Sequence, residues 1–289
     1  MKISVTARAT GIGLAVTGLL ATMATVASPA QAIPGLVRTT ASSVSDSATT
    51  KTISAACPAG TRILGGGGEI VGGAGQVLLT AFEPVSSTNR YSVRGHEDDD
   101  GYTGNWQVIA YAVCGNSPAG LEYITDSGQP QSASFGHYTT ARCTPGKHFL
   151  GFGGRTNDGA GHVSLEGMNP FEPAEVLVPA AEDPNGFSGL WSLTAHLVCA
   201  NPISGWERVF ARTPSDSSAS PKTITVSCPA GKRVHSASFS GGGAVAFGEF
   251  LVRSVVPDAA LTSVTVSAEE VDGGTPDVWD ITAWAVCVP

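Results

Sequence analysis

Three short acidic loops hold most of the residues of this chain that are suited to binding or chemistry. They read His96-Glu97-Asp98-Asp99-Asp100-Gly101, then Glu182-Asp183-Pro184-Asn185-Gly186, then Glu269-Glu270-Val271-Asp272-Gly273. Carboxylate and amide oxygens beside a glycine turn are the hard donors that Ca²⁺ takes, six to eight at a time. The candidate ligand- or Ca²⁺-binding residues are therefore Glu97, Asp98, Asp100, Glu182, Asp183, Asn185, Glu270 and Asp272. The D-x-D-x-D-G…E order of a calcium loop is absent and the number of acids differs between loops. No cofactor is expected on that ground, and Ca²⁺ is kept only as the minor alternative.

Catalytic alternatives find less support. Glycoside hydrolysis needs two carboxyl groups on opposite sides of a cleft, once per protein, whereas these loops come in three. No G-x-S-x-G is present, so a serine nucleophile has no visible carrier. His96, His137, His148, His162, His196 and His235 form neither H-x-x-x-H nor H-E-x-x-H. No zinc site is expected from them, and the expectation is a binding protein, not an enzyme.

Each loop must be held by the element that follows it. Glu97, Glu182 and Glu270 stand nine residues before Trp106, Trp191 and Trp279, which open WQVIAYAVC, WSLTAHLVC and WDITAWAVC. In each run Trp leads Cys by eight residues, so in a strand both share one face with the alternate apolar residues between them. That pattern predicts a strand with one buried face, and the indoles as packing residues. Tyr111, His196 and Trp284 fall on the opposite face, suited to stacking on a sugar or to covering a second core layer.

The closing strand belongs to a threefold repeat. Cys57-Pro58-Ala59-Gly60 corresponds to Cys143-Thr144-Pro145-Gly146 and to Cys228-Pro229-Ala230-Gly231, with steps of 86 and 85 residues. Pro84, Pro170 and Pro257 mark the middle, and Gly35-Leu36, Gly120-Leu121 and Gly205-Trp206 mark the start. These landmarks divide the chain into units 33–118, 119–203 and 204–289. About six strands per unit are predicted, in the first near Leu36–Thr40, Lys51–Cys57, Arg62–Gly66, Gln76–Phe82, Arg90–Gly95 and Trp106–Cys114. Gly65–Gly68 are expected to flank a turn or to mark crowded sheet, since no helix follows to make a phosphate cradle. The Ser/Thr-rich stretches Thr39–Thr50, Asp126–Ser134 and Pro214–Lys222 are expected as surface loops inside units.

Residues 1–32 have the form of an export signal: Lys2 and Arg8, an apolar run, then Ala30-Gln31-Ala32. Their removal takes two basic residues and no acids from a chain whose formal charge is already −8. That balance argues against nucleic acid and anionic membranes as partners, and no later stretch is apolar enough for membrane insertion. A secreted, extracellular protein is expected. All six cysteines follow the signal, so three disulfides are expected. The repeat leaves two symmetric sets: Cys57–Cys114, Cys143–Cys199 and Cys228–Cys287 within units, or Cys114–Cys143, Cys199–Cys228 and Cys57–Cys287 between them. The within-unit set is preferred because it lets each unit fold before its neighbour arrives.

The fold expected is all-β: three tandem units around a pseudo-threefold axis, prism-like, packed as one body with the Trp faces inward. The opening strand of each unit is expected to pair with its neighbour's sheet. Cys-Pro-x-Gly-Lys/Arg, a glycine cluster and Trp followed eight residues on by Cys together resemble a repeat of exported proteins from high-GC Gram-positive bacteria. That resemblance covers nearly all of residues 50–289 and implies export and disulfides, with no activity attached. At fold level only, the arrangement resembles three-sided β-prism lectins. The functional expectation is a secreted binding protein for a carbohydrate or another extracellular protein. An envelope scaffold is the alternative, and a hydrolase is ranked third.

Overall fold

The computed structural model describes Met1 and residues 33–132, 136–171, 173–218, 220–242, 248–271 and 274–289. The export-signal segment, Met1 apart, lies outside the described residues, as do Asp272 and Gly273 of the third acidic loop. The described chain is all-β. Its first repeat holds β1 (Val37–Ser42), β2 (Thr50–Ala56), β3 (Arg62–Val71), β4 (Val77–Val85), β5 (Arg90–Glu97) and β6 (Gln107–Gly115). The second holds β7 (Glu122–Ser127), β8 (His137–Arg142), β9 (His148–Asn157), β10 (Val163–Leu165), β11 (Asn169–Phe171), β12 (Glu175–Glu182) and β13 (Ser192–Ala200). The third holds β14 (Glu207–Arg212), β15 (Lys222–Ser227), β16 (Arg233–Gly242), β17 (Phe250–Pro257), β18 (Ser263–Glu270) and β19 (Asp280–Val288).

The alternation of the closing strands decides what they bury. Trp106, Val108, Ala110, Ala112 and Cys114 are all solvent-inaccessible, as are Trp191 and Trp279. Each closing strand also carries its own cystine, Cys57–Cys114, Cys143–Cys199 and Cys228–Cys287, so every bridge lies within one repeat. One element differs from expectation, and the glycine cluster takes the crowded-sheet alternative. The Ser/Thr-rich stretches are partly ordered against the closing strand: β1 pairs with β6, and Asp46, Gln131 and Asp216 bridge the three tryptophans. Gly65–Gly68 lie inside β3 and do not flank a turn. A methyl on Gly66 would sit 2.3 Å from the Tyr111 carbonyl, and one on Gly67 2.0 Å from that of Val255. Only glycine lets these backbones come so close.

The prism expectation is corrected by the sheets. Three units around a pseudo-threefold axis, one sheet each, would give three sheets, whereas the strands form four. The two large sheets run β1-β6-β3-β17-β18-β15 and β2-β5-β4-β9-β13-β7. The smaller ones are β10-β12-β11, with β8 beside β12, and β14-β19-β16. The arrangement is propeller-like, with these four sheets in place of blades. Strand exchange between repeats is the physical reason. β4 pairs with β9 at Ala81↔Arg155 and Phe82↔Gly154, and β17 pairs with β3 at Ser254↔Glu69 and Val255↔Gly68. In the second repeat the corresponding strand is broken between β10 and β11, and only the isolated bridge Gly167↔Ser240 reaches β16. The opening strands also depart from expectation: β1, β7 and β14 pair with their own closing strands. A single buried apolar cluster includes residues of all three repeats.

Opening a bridge should therefore be felt broadly. The Cys57–Cys114 loop spans 57 residues, for which loop entropy alone is worth ~4 kcal/mol. The double variant Cys57→Ala/Cys114→Ala is expected to melt well below the parent by calorimetry. An unchanged melting temperature would show that the bridge carries no stability.

Candidate functional site

The acidic loops begin at a repeated contact. The indole Nε1 of Trp106 donates to Glu97 Oε1 at 2.9 Å, Trp191 to Glu182 at 2.8 Å, and Trp279 to Glu270 at 3.0 Å. Glu97 and Glu182 are buried, so each places a carboxylate in the core, where a charge needs a donor. A cation covers the indole face in two repeats, with Lys51 and Lys222 nitrogens 4.6 Å from the Trp106 and Trp279 ring centres. His137 takes that place over Trp191, ring to ring at 4.0 Å. Lys51 and Lys222 in turn bind Asp46 and Asp216, whose carboxyls are held below the ordinary aspartate range chiefly by those hydrogen bonds.

Beyond each anchoring glutamate the chain turns tightly. Gly101 N donates to Asp98 Oδ1 at 3.0 Å, and Gly186 N to Asp183 Oδ1 at 2.9 Å. Both glycines have φ near +75°, the left-handed region. The first two loops then lean on each other, Asn185 Nδ2 donating to Asp99 Oδ2 at 3.0 Å. The turn between β9 and β10 brings in His162, whose Nδ1 is 3.0 Å from Asp183 Oδ2 and 3.8 Å from Asp99 Oδ2. Phe187 stacks on the imidazole at 5.5 Å. Burial pushes the Asp183 carboxyl up and the Asp99 charge adds to this, while His162 opposes both.

These groups rim a cavity of about 100 Å³ whose floor is Leu78, Leu251 and Val271, with Ser164 and Gly248 beside it. All three repeats contribute. Just below lies Glu166, fully buried between β10 and β11, its Oε1 accepting from Ser164 Oγ at 2.9 Å and Gly248 N at 3.1 Å. Its Oε2 has no hydrogen-bond partner among the described residues. Burial pushes this carboxyl up to about 8. Two further clefts flank the cavity, each about 250 Å³. One is lined by Thr80, Arg94, His96, Thr156 and Asp158, the other by Ala74, Gly75, Ser220 and Glu269. They occupy matching places, where Ala160-Gly161 and Ala74-Gly75 turn with positive φ.

The sequence candidates thus divide. Glu97, Glu182 and Glu270 face the tryptophans; Asp98, Asp100, Asp183 and Asn185 reach the cavity; Asp272 lies outside the described residues. Asp99 and His162 were missed. Asp99 is matched in sequence by Asp272 of the third loop but His162 has no such partner, and only the meeting of two repeats brings Asp99 and His162 together. Of the rings on the outer face of the closing strands, Tyr111 is buried and bonds Glu69 at 2.6 Å. His196 lies 3.4 Å from Glu83, and Trp284 packs on Phe210 and Arg208, so each of the three rings is engaged by neighbouring side chains. No family model matches the chain, and a search of curated proteins returns no match.

Glu166 gives the site a pH signature. A carboxyl raised from 4.5 to about 8 holds a proton in the fold that the unfolded chain has released. Stability is then fully present below about pH 4.5 and falls as pH rises towards 8. His235, lowered to about 4 by burial, acts oppositely and only below its unfolded value of 6.5. Between pH 6.5 and 8 the parent should lose about 2 kcal/mol by denaturant unfolding, and Glu166→Gln should lose markedly less. Parallel profiles for the two would rule out a protonated Glu166.

Proposed function

We propose that the protein is an exported, non-enzymatic binding protein that takes a surface glycan at the cavity where the acidic loops converge. The supporting observation is the make-up of that cavity: a rim of Asp98, Asp99, Asp100, His162 and Asn185 over an apolar floor of Leu78, Leu251 and Val271. A sugar ring offers hydroxyls at its edge and C–H groups on its face, which suit a polar rim and an apolar floor respectively. Three cystines suit an oxidising environment, in keeping with export by residues 1–32. Binding is favoured over hydrolysis because Asp99 and Asp183 sit together on one side, tied by His162 and Asn185. Glycosidases need their carboxyls on either side of the scissile bond. Glu166, the carboxyl that burial raises to about 8, is hydrogen-bonded to Ser164 and Gly248 and is closed off from solvent.

A glycan array probed with the mature chain should give at least one oligosaccharide hit. Asp100→Asn should weaken that hit about tenfold in titration calorimetry, the worth of about one hydrogen bond to a charged group. An empty array, or a hit indifferent to Asp100, would reject the assignment; retention of another exported protein at this face would reassign the ligand.

A further inference from the structure

The cavity rim carries a donor set that a hydroxyl ligand alone does not explain. Asp99, His162 and Asp183 each place one ligand atom within 4.8 Å of the other two. Two of these separations, 3.0 and 3.8 Å, bracket the ~3.3 Å between donors bound about 2.0–2.2 Å from one ion. Each donor is already oriented. Gly186 N holds Asp183 Oδ1, leaving Oδ2 for His162. Asn185 steadies Asp99, and Phe187 stacks on the imidazole.

A second, separate observation lies below. Glu166 is fully buried, its carboxyl joined through Oε1 to Ser164 and Gly248 of the cavity wall, with Oε2 unpartnered among the described residues. A cation held at the rim would favour ionisation of this carboxyl, which burial otherwise keeps protonated. The nitrogen donor selects among cations: Ca²⁺ and Mg²⁺ favour oxygen throughout, whereas imidazole with carboxylates suits Zn²⁺ or Mn²⁺.

We propose that Asp99, His162 and Asp183 form a three-ligand site for a divalent transition-metal ion of the Zn²⁺ or Mn²⁺ class, its remaining positions open to the cavity. Two repeats supply the ligands, so the ion also ties the first acidic loop to the second. This deepens the glycan reading, since a metal with open positions takes ligand hydroxyls directly.

The test uses the untagged mature chain, freed of metal by chelator, titrated with Zn²⁺, Mn²⁺ and Ca²⁺ alone. One Zn²⁺ per chain is expected, with perturbation of the His162 side-chain resonances by NMR. His162→Gln and Asp183→Asn should each weaken Zn²⁺ by about 100-fold or more, while Asp126→Asn, on the exposed part of β7, leaves it unchanged. Unaltered affinity in His162→Gln, equal preference for Ca²⁺, or resonance changes at other histidines only would overturn the site. Should the variants fail to fold, the parent's NMR titration still decides. A chain that takes Zn²⁺ but no oligosaccharide would sink the glycan reading and leave the metal site standing.

Discussion

The hydrogen bond from a buried indole to a carboxylate nine residues earlier is the contact on which the site rests. It spans the acidic loop, fixing both its ends to the closing strand. A buried carboxylate without a donor would be strongly unfavourable, and so would a buried indole N–H without an acceptor. Each satisfies the other. With the ends fixed, the intervening residues have little choice but to turn outward through Gly101 and Gly186.

Close backbone approach is the complementary constraint. Where β3 passes under Tyr111 and Val255, and where Gly161 lies 2.7 Å (measured from an added Cβ) from the Glu97 carbonyl, any side chain would force the repeats apart. Gly65–Gly68 therefore mark neither a turn nor a phosphate cradle. The glycine clusters permit β17 to join β3 and β4 to join β9, which builds two large sheets out of three repeats. The second repeat departs from its siblings at Glu166, between two three-residue strands. There the sheets of the second and third repeats stay separate, meeting at the isolated bridge Gly167↔Ser240, and there Ser164 joins the cavity wall.

Placement explains why the repeats are not equivalent in chemistry. The loops share their anchors, yet His162 and Asn185 have no counterparts of the same type at matching places, and Asp99 is matched only by Asp272 of the third loop. One cavity therefore gathers unlike groups from several repeats. Its electrostatics follow: burial and the neighbouring Asp99 raise the Asp183 carboxyl, while His162 offsets them.

The sequence by itself determined the local features: the strand period, the buried face of Trp106 through Cys114, the number of bridges and the tight turns of the acidic loops. These follow from residue spacing along one chain, which backbone geometry converts directly into faces and bends. Tertiary structure alone decided that the sheets number four and not three, since the exchange of β4 and β17 depends on clearances between distant backbones. It also turned Glu97, Glu182 and Glu270 away from ligand and toward tryptophan. Asp99 and His162 could be paired only by folding, because they are 63 residues apart and no periodicity relates them.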